Sequence, residues 1–242
     1  MIPLDHVLIV AITLVSPLLD WLWLYPLLRR ATAAGVQGAR SRAYLAYLVT
    51  AWGLTAGILA LWADRGRPWT GLHLGLGTPL QSAAGLVLAA AYLGLGLAQR
   101  RTLLAQPDRL ARVLARFGAA EPLIPHTPGE RGGFALVSVT AGICEEILFR
   151  GFVLWYVSIW AGPVLAVLIS SILFGFAHLY LSPRDALRTG VAGLLFGLVV
   201  LAAGSLWPAI LIHAAADLIS GDLGYRALGG KKSGEPGLPA AA

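Results

Sequence analysis

Two carboxylates and a guanidinium stand together in Cys144-Glu145-Glu146-Ile147-Leu148-Phe149-Arg150, within an otherwise apolar run from Gly132 to Trp160. A run of that length can span a bilayer, since about twenty apolar residues suffice. Each charge at membrane depth costs at least about 2.5 kcal/mol, so three together demand a reason. On a helix Glu146 and Arg150 share a face four residues apart and can form an ion pair. Glu145 points about 100° away around the helix and has no such partner. A pair bracing a helix bundle explains Glu146 and Arg150; Glu145 is left as the functional candidate.

Two later apolar segments carry histidine at helical spacing. One is Phe174-Gly175-Phe176-Ala177-His178. The other is His213-Ala214-Ala215-Ala216-Asp217, whose i, i+4 spacing places both polar side chains on one face. A lone membrane histidine is more often a hydrogen bond between helices than a catalyst. Three polar motifs on separate helices shift that balance, because buried polar groups must find one another. Cys144 also raises a cysteine nucleophile with His178 or His213 as its base. Against it stands the usual role of a free cysteine as a small buried hydrophobe. His6, His73 and His126 fall near helix ends or in loops and carry no pattern.

The elements that must position these groups are membrane helices. Of 242 residues, 57% are hydrophobic and 12% charged, about half the charge of a soluble domain. The chain is therefore expected to be an all-α, polytopic transmembrane helix bundle. Seven spans are expected, with six to eight compatible with the pattern: Leu4 to Leu28, Ala43 to Ala63, Pro79 to Ala98, Gly132 to Trp160, Gly162 to Leu181, Leu187 to Ala203, and Leu206 to about Ile219. The first lacks a basic leader and a cleavage site and is expected to be retained. The fourth is long for a straight crossing and should tilt or break near Gly142 or Gly151. Between Arg100 and Arg131, Pro107 to Phe117 reads as a basic amphipathic helix. Leu110, Val113, Leu114 and Phe117 share its apolar spacing, suited to the headgroup region or to packing on the bundle. Three parts follow: helices with their connector over 1–131, a helical core over 132–220, and a flexible tail over 221–242. The single cysteine, Cys144, rules out an intramolecular disulfide and any cysteine-built zinc or iron–sulfur site.

Loop charge orients the bundle. All basic residues except Arg65, Arg67 and the intramembrane Arg150 fall on one side of the seven-span arrangement. Basic loops favour the cytoplasm, so the amino terminus is expected outside and the carboxyl terminus inside. Trp62, Trp69, Trp160 and Trp207 then mark the outer ends. The formal charge of +6 sets orientation and needs no nucleic-acid partner. Arginine far above lysine, with abundant Ala and Gly, suggests a bacterial plasma membrane.

The ordered motifs resemble those of the CAAX-protease and bacteriocin-processing (CPBP) intramembrane endopeptidases, which include the type II CAAX prenyl endopeptidase. That family's hallmarks are Glu-Glu-x-x-x-Arg, Phe-x-x-x-His and His-x-x-x-Asn or Asp. Here they read Glu145 to Arg150, Phe174 to His178 and His213 to Asp217, in order on separate helices. The resemblance covers about Gly132 to Ser220. It implies a peptide-bond hydrolase opening toward membrane and cytoplasm. Glu145 and His178 would activate water; His213 and Asp217 would stabilise the oxyanion; Glu146 and Arg150 would brace the helix. Many members carry asparagine where this chain has Asp217. An ionised aspartate cannot donate to an oxyanion, so Asp217 must be protonated, orient His213, or bind a metal.

Metal binding keeps a zinc-dependent version open, with Glu145, His178, His213 and Asp217 as ligands, although no His-Glu-x-x-His is present. The expectation is a metal-free, glutamate-dependent endopeptidase without cofactor. Its partners would be a peptide or membrane-protein substrate and the lipid bilayer. Two other classes compete: a non-catalytic immunity or scaffold protein, and a proton-coupled transporter using Glu145 and the histidines as a relay. Absence of an evident inverted repeat counts against transport.

Overall fold

The computed structural model describes residues 1–228, apart from the side chains at positions 107, 113, 114, 116 and 117. Regular structure is helical throughout, with no strand among the described residues. Helix α1 is Pro3–Ala33, α2 is Ala39–Asp64 and α3 is Pro79–Leu104. The short α4 is Pro107–Leu114. The longest, α5, is Pro128–Ala177; α6 is Pro183–Ala203 and α7 is Trp207–Ala227. The first three, α5 and α6 are long and apolar enough to cross a membrane. Helix α7 has a similar length, but His213, Asp217, Asp222 and Arg226 lower its apolarity.

Helix α5 is two spans, which brings the long apolar helices to six, and α7 is a seventh long helix of the bundle. Gly162 adopts φ 74° and ψ 166° inside α5, and Pro163 follows. Positive φ suits glycine, and proline has no N–H to continue the helical ladder. The chain therefore turns there, at the boundary expected between the fourth and fifth spans. The fourth span does not break at Gly142 or Gly151. It passes instead through a π-helical stretch, Glu146–Val153, which begins within the charged motif. Two shorter π-helical stretches lie in α1, Ala11–Val15 and Asp20–Leu24. Wider turns of this kind frequently accompany functional positions.

Several boundaries differ from the sequence expectation. Helix α6 starts a turn early at Pro183, where the Ser182 hydroxyl accepts from the Asp185 N–H as an N-cap. The tail expected from Gly221 is helical to Ala227, with Gly221, Leu223 and Gly224 buried. Small residues there allow neighbouring side chains to pack directly against the backbone. The remainder of the expected tail, 229–242, lies outside the described residues. In the connector, Leu110 packs with Leu103 and Leu223, so α4 sits against the bundle. The side chains of Val113, Leu114 and Phe117 lie outside the description.

The first arm of α5 packs on α2 and α7, and its second arm packs on α6. Around the charged motif, Phe149, Phe152 and Phe174 join Ile58, Trp62 and Leu72 in one apolar cluster. Trp62 therefore belongs to the core, where its indole N–H reaches the Pro68 carbonyl. Trp69, Trp160 and Trp207 are exposed, as an interfacial belt requires.

Candidate active site

Glu146 sits at the end of the first α5 arm's α-helical segment and is fully buried. Its Oε1 accepts from Arg150 Nη1 at 3.0 Å, as the i, i+4 spacing anticipated. The same oxygen accepts from His213 Nδ1 at 2.8 Å. Glu146 thus joins α5 to α7 as well as bracing its own helix. Sequence spacing could not reveal this second bond, since its partner is sixty-seven residues away. Arg150 is also buried, its guanidinium 4.1 Å from the Phe174 ring centroid and 5.5 Å from that of Phe196. Cation–π attraction compensates part of the cost of enclosing it.

Glu145 faces a different environment. Its Oε1 accepts from the Tyr47 hydroxyl on α2 at 2.7 Å. Its Oε2 lies 3.8 Å from His213 Nε2. Asp217 Oδ2 is also 3.8 Å from that nitrogen. The imidazole of His213 is therefore anchored at Nδ1 by Glu146 and offers Nε2 toward two carboxylates. Phe196 stacks on its ring at a centroid separation of 5.1 Å. The helices approach closely enough for this because Gly142 has no side chain. A Cβ there would lie 2.8 Å from the Ala214 Cβ and 2.9 Å from its backbone nitrogen.

His178 follows the end of α5, and its Nδ1 donates to the Phe174 carbonyl at 2.9 Å. A carbonyl only accepts, so this bond fixes Nδ1–H and leaves Nε2 without its proton in the neutral ring. The Phe174 ring adjoins both histidines, 4.8 Å from His178 and 5.9 Å from His213. His178 makes no direct ion pair with Glu145; its electrostatic reach is to Asp217 and to Asp20. Tyr180 stacks on His178 and also meets Tyr25 of α1.

All seven expected positions, Glu145, Glu146, Arg150, Phe174, His178, His213 and Asp217, thus meet in one region. Two additions come from the amino-terminal helices. Tyr47 holds Glu145, and Asp20 is within electrostatic reach of both Glu145 and His178. Asp20 carried a sequence signal, being a carboxylate well inside an apolar span. Tyr47 carried none. Cys144 is buried and hydrogen-bonds to neither histidine. Among the described residues, no three His, Cys, Asp or Glu side chains are grouped as ligands for one metal ion.

The arrangement can hold a carboxylate with one oxygen fixed by a phenol and the other turned toward imidazole. It can also hold an imidazole against movement. Residues 129–219, which contain all three motifs, match a family model described as Type II CAAX prenyl endopeptidase Rce1-like. No curated protein and no solved structure matches the chain.

Proposed function

We propose, from the premise that residues 129–219 belong to the Type II CAAX prenyl endopeptidase Rce1-like family, that this integral membrane protein is an intramembrane endopeptidase using Glu145 as its general base. The family implies a protease; the catalytic roles are our reading of the geometry. One observation carries it: Glu146 is sequestered by Arg150 and His213, while Glu145 binds no guanidinium. Tyr47 occupies Oε1, so Oε2 is the oxygen positioned to take a proton from water. His178, with Nε2 free, shares in orienting that water.

His213 then serves the developing oxyanion. Glu146 holds Nδ1 and thereby fixes the ring, so Nε2 points at the place where Glu145 acts. With Nδ1–H given to Glu146, Nε2 donates as part of an imidazolium, whose charge the Glu145 and Asp217 carboxylates beside it balance. A donor preorganised in this way needs no rearrangement as charge develops. Asp217 fits the role of orienting and balancing His213, since it lies beside the same nitrogen. In this reading the substrate is a peptide or membrane protein, and a metal ion plays no part. Activity of the purified protein should survive chelators. Loss on chelation with recovery on adding zinc would instead make Glu145, the histidines and Asp217 ligands.

The function itself is tested by comparing membrane proteomes of cells carrying the wild type or Glu145→Ala. An uncleaved protein should accumulate with the variant, its cut site missing. Identical proteomes would favour a binding or scaffold role for the same polar core. We also propose an amino terminus outside and a carboxyl terminus in the cytoplasm, because the basic connectors lie on one side. Cysteines introduced at Gly38 and Gly66 should label from opposite faces. Labelling of both from one face would reverse that assignment.

A further inference from the structure

Where α3 and α7 end and α5 begins, Asp222 gathers three arginines. Its Oδ2 accepts from Arg100 Nε at 2.8 Å and Nη2 at 2.6 Å, and its Oδ1 from Arg131 Nη2 at 2.7 Å. Arg226 Nε approaches both oxygens, at 3.1 and 3.0 Å. One carboxylate against three guanidiniums leaves the cluster strongly positive. The side chain of Asp222 is 12% exposed, whereas those of Arg131 and Arg226 are 48% and 46% exposed. Each guanidinium has five N–H donors, and Asp222 engages one or two from each. A cavity of about 250 Å³ is lined by Arg100, Arg131 and Asp222, with Phe134, Ala135 and Leu218 in its wall, and Arg226 joins the site through Asp222.

Its level in the bundle follows from how α5 and α7 pack. They run antiparallel, Gly142 meeting Ala214 and Phe134 meeting Gly221. Phe134 precedes Glu145 by eleven residues, about 16 Å of helical rise. A hydrocarbon core is about 30 Å thick. A bundle with Glu145 near mid-depth therefore brings the arginines to the headgroup boundary. We propose that this cluster and its cavity bind the phosphate of an anionic phospholipid, with Phe134, Ala135 and Leu218 against the apolar part next to the headgroup. The carboxylate end of a peptide has the right charge, but reaching the arginines from Glu145 would take about five extended residues. Leu218 is exposed on the outer surface, which favours an occupant entering from the bilayer.

The binding is independent of any protease activity and is read by thermal unfolding of the whole protein in detergent. Phosphatidylglycerol should raise Tm saturably, and phosphatidylcholine should not. Arg131→Gln and Arg226→Gln should each weaken the apparent affinity about fivefold, in line with the contribution of one basic residue at an anionic surface. Either variant leaves Asp222 paired with two arginines, so the fold should persist. Arg109→Gln, an exposed charge on α4, should leave the affinity unchanged. Inorganic phosphate alone should act only at far higher concentration than the lipid. Equal shifts with phosphatidylcholine, unchanged affinity in both cluster variants, or a full effect from free phosphate would each overturn the proposal. So would variants that leave lipid binding intact but weaken only cleavage of peptides with a free carboxyl end, which would make the cluster a substrate subsite.

Discussion

The helices before residue 128 and those after it solve different problems. In α1 and α3, 11% of the most apolar stretch is buried in the protein; in α5 and α6 the share is 28%. Trp23 and Leu27 of α1 and Leu80 and Leu95 of α3 are well exposed, as a lipid-facing coat requires. After residue 128, Glu146, Arg150 and His213 are buried in a mutually bonded set. The coat sends single polar side chains inward, Tyr47 and Asp20, toward groups belonging to the core. Polar residues thus enter the membrane interior in two ways: as sets bonded to one another, or singly toward a set already there. A polar set stabilises its own helices, whereas a single incoming side chain can be removed without leaving a charge stranded.

That contrast breaks hardest within the core, between adjacent carboxylates. Glu145→Gln keeps size and hydrogen-bonding capacity but cannot take a proton from water. Turnover of a peptide substrate should fall by about 10²- to 10⁴-fold, the range for loss of a general base, with thermal stability retained. Glu146→Gln should do the reverse. It leaves Arg150 enclosed without its counter-charge, at a cost of about 3–5 kcal/mol, and should retain activity per folded molecule because the amide oxygen can still accept from His213. Detergent melting curves beside cleavage assays separate the two. Normal cleavage by the Glu145 variant would remove the general base from the mechanism.

The same contrast explains what could be read from sequence. Seven apolar segments were legible because their length and composition follow from the bilayer. The three motifs were legible because charge is conspicuous in such segments. Glu146 bonding His213 was not, since one local partner, Arg150, already accounted for it. Tyr47 was hidden because a tyrosine in an apolar helix resembles any interfacial aromatic. The last turns of α7 were misread because Gly221 and Gly224 look like breakers. In the fold they admit Phe134 and Ile124 against the helix. The π-helical stretch at Glu146–Val153 left no mark in the residue pattern, because its apolar residues suit either helix type.

A smaller effect belongs to the coat's contribution. Tyr47→Phe removes one hydrogen bond to Glu145 while preserving the ring. A hydrogen bond to a charged group contributes about 1.5 kcal/mol or more, so kcat should fall about tenfold if Tyr47 positions that carboxylate. KM should be unchanged, because the phenol acts through Glu145. A raised KM at constant kcat would mean that Tyr47 contacts substrate, and an unchanged enzyme would mean that the coat only seals the core.

The smallest effect lies at the joint between coat and core. Glu121 Oε1 lies 3.2 Å from Arg40 of α2 and 2.8 Å from His126, just before α5. The hydrogen bond from His126 and the Arg40 charge hold the Glu121 carboxyl below its ordinary value of 4.5, with burial opposing them. Its side chain is 44% exposed, so screening limits the gain to less than about 1 kcal/mol. A depressed pKa stabilises the fold above the unfolded value and ceases to do so as pH falls through the folded one. Glu121→Gln should therefore melt slightly below the wild type at neutral pH, and the two curves should converge as the pH drops below about 4.5. A gap persisting in acid would assign the contact to packing rather than charge. The core's response to Glu146→Gln should dwarf either result, because there the stranded partner is enclosed and here it is hydrated.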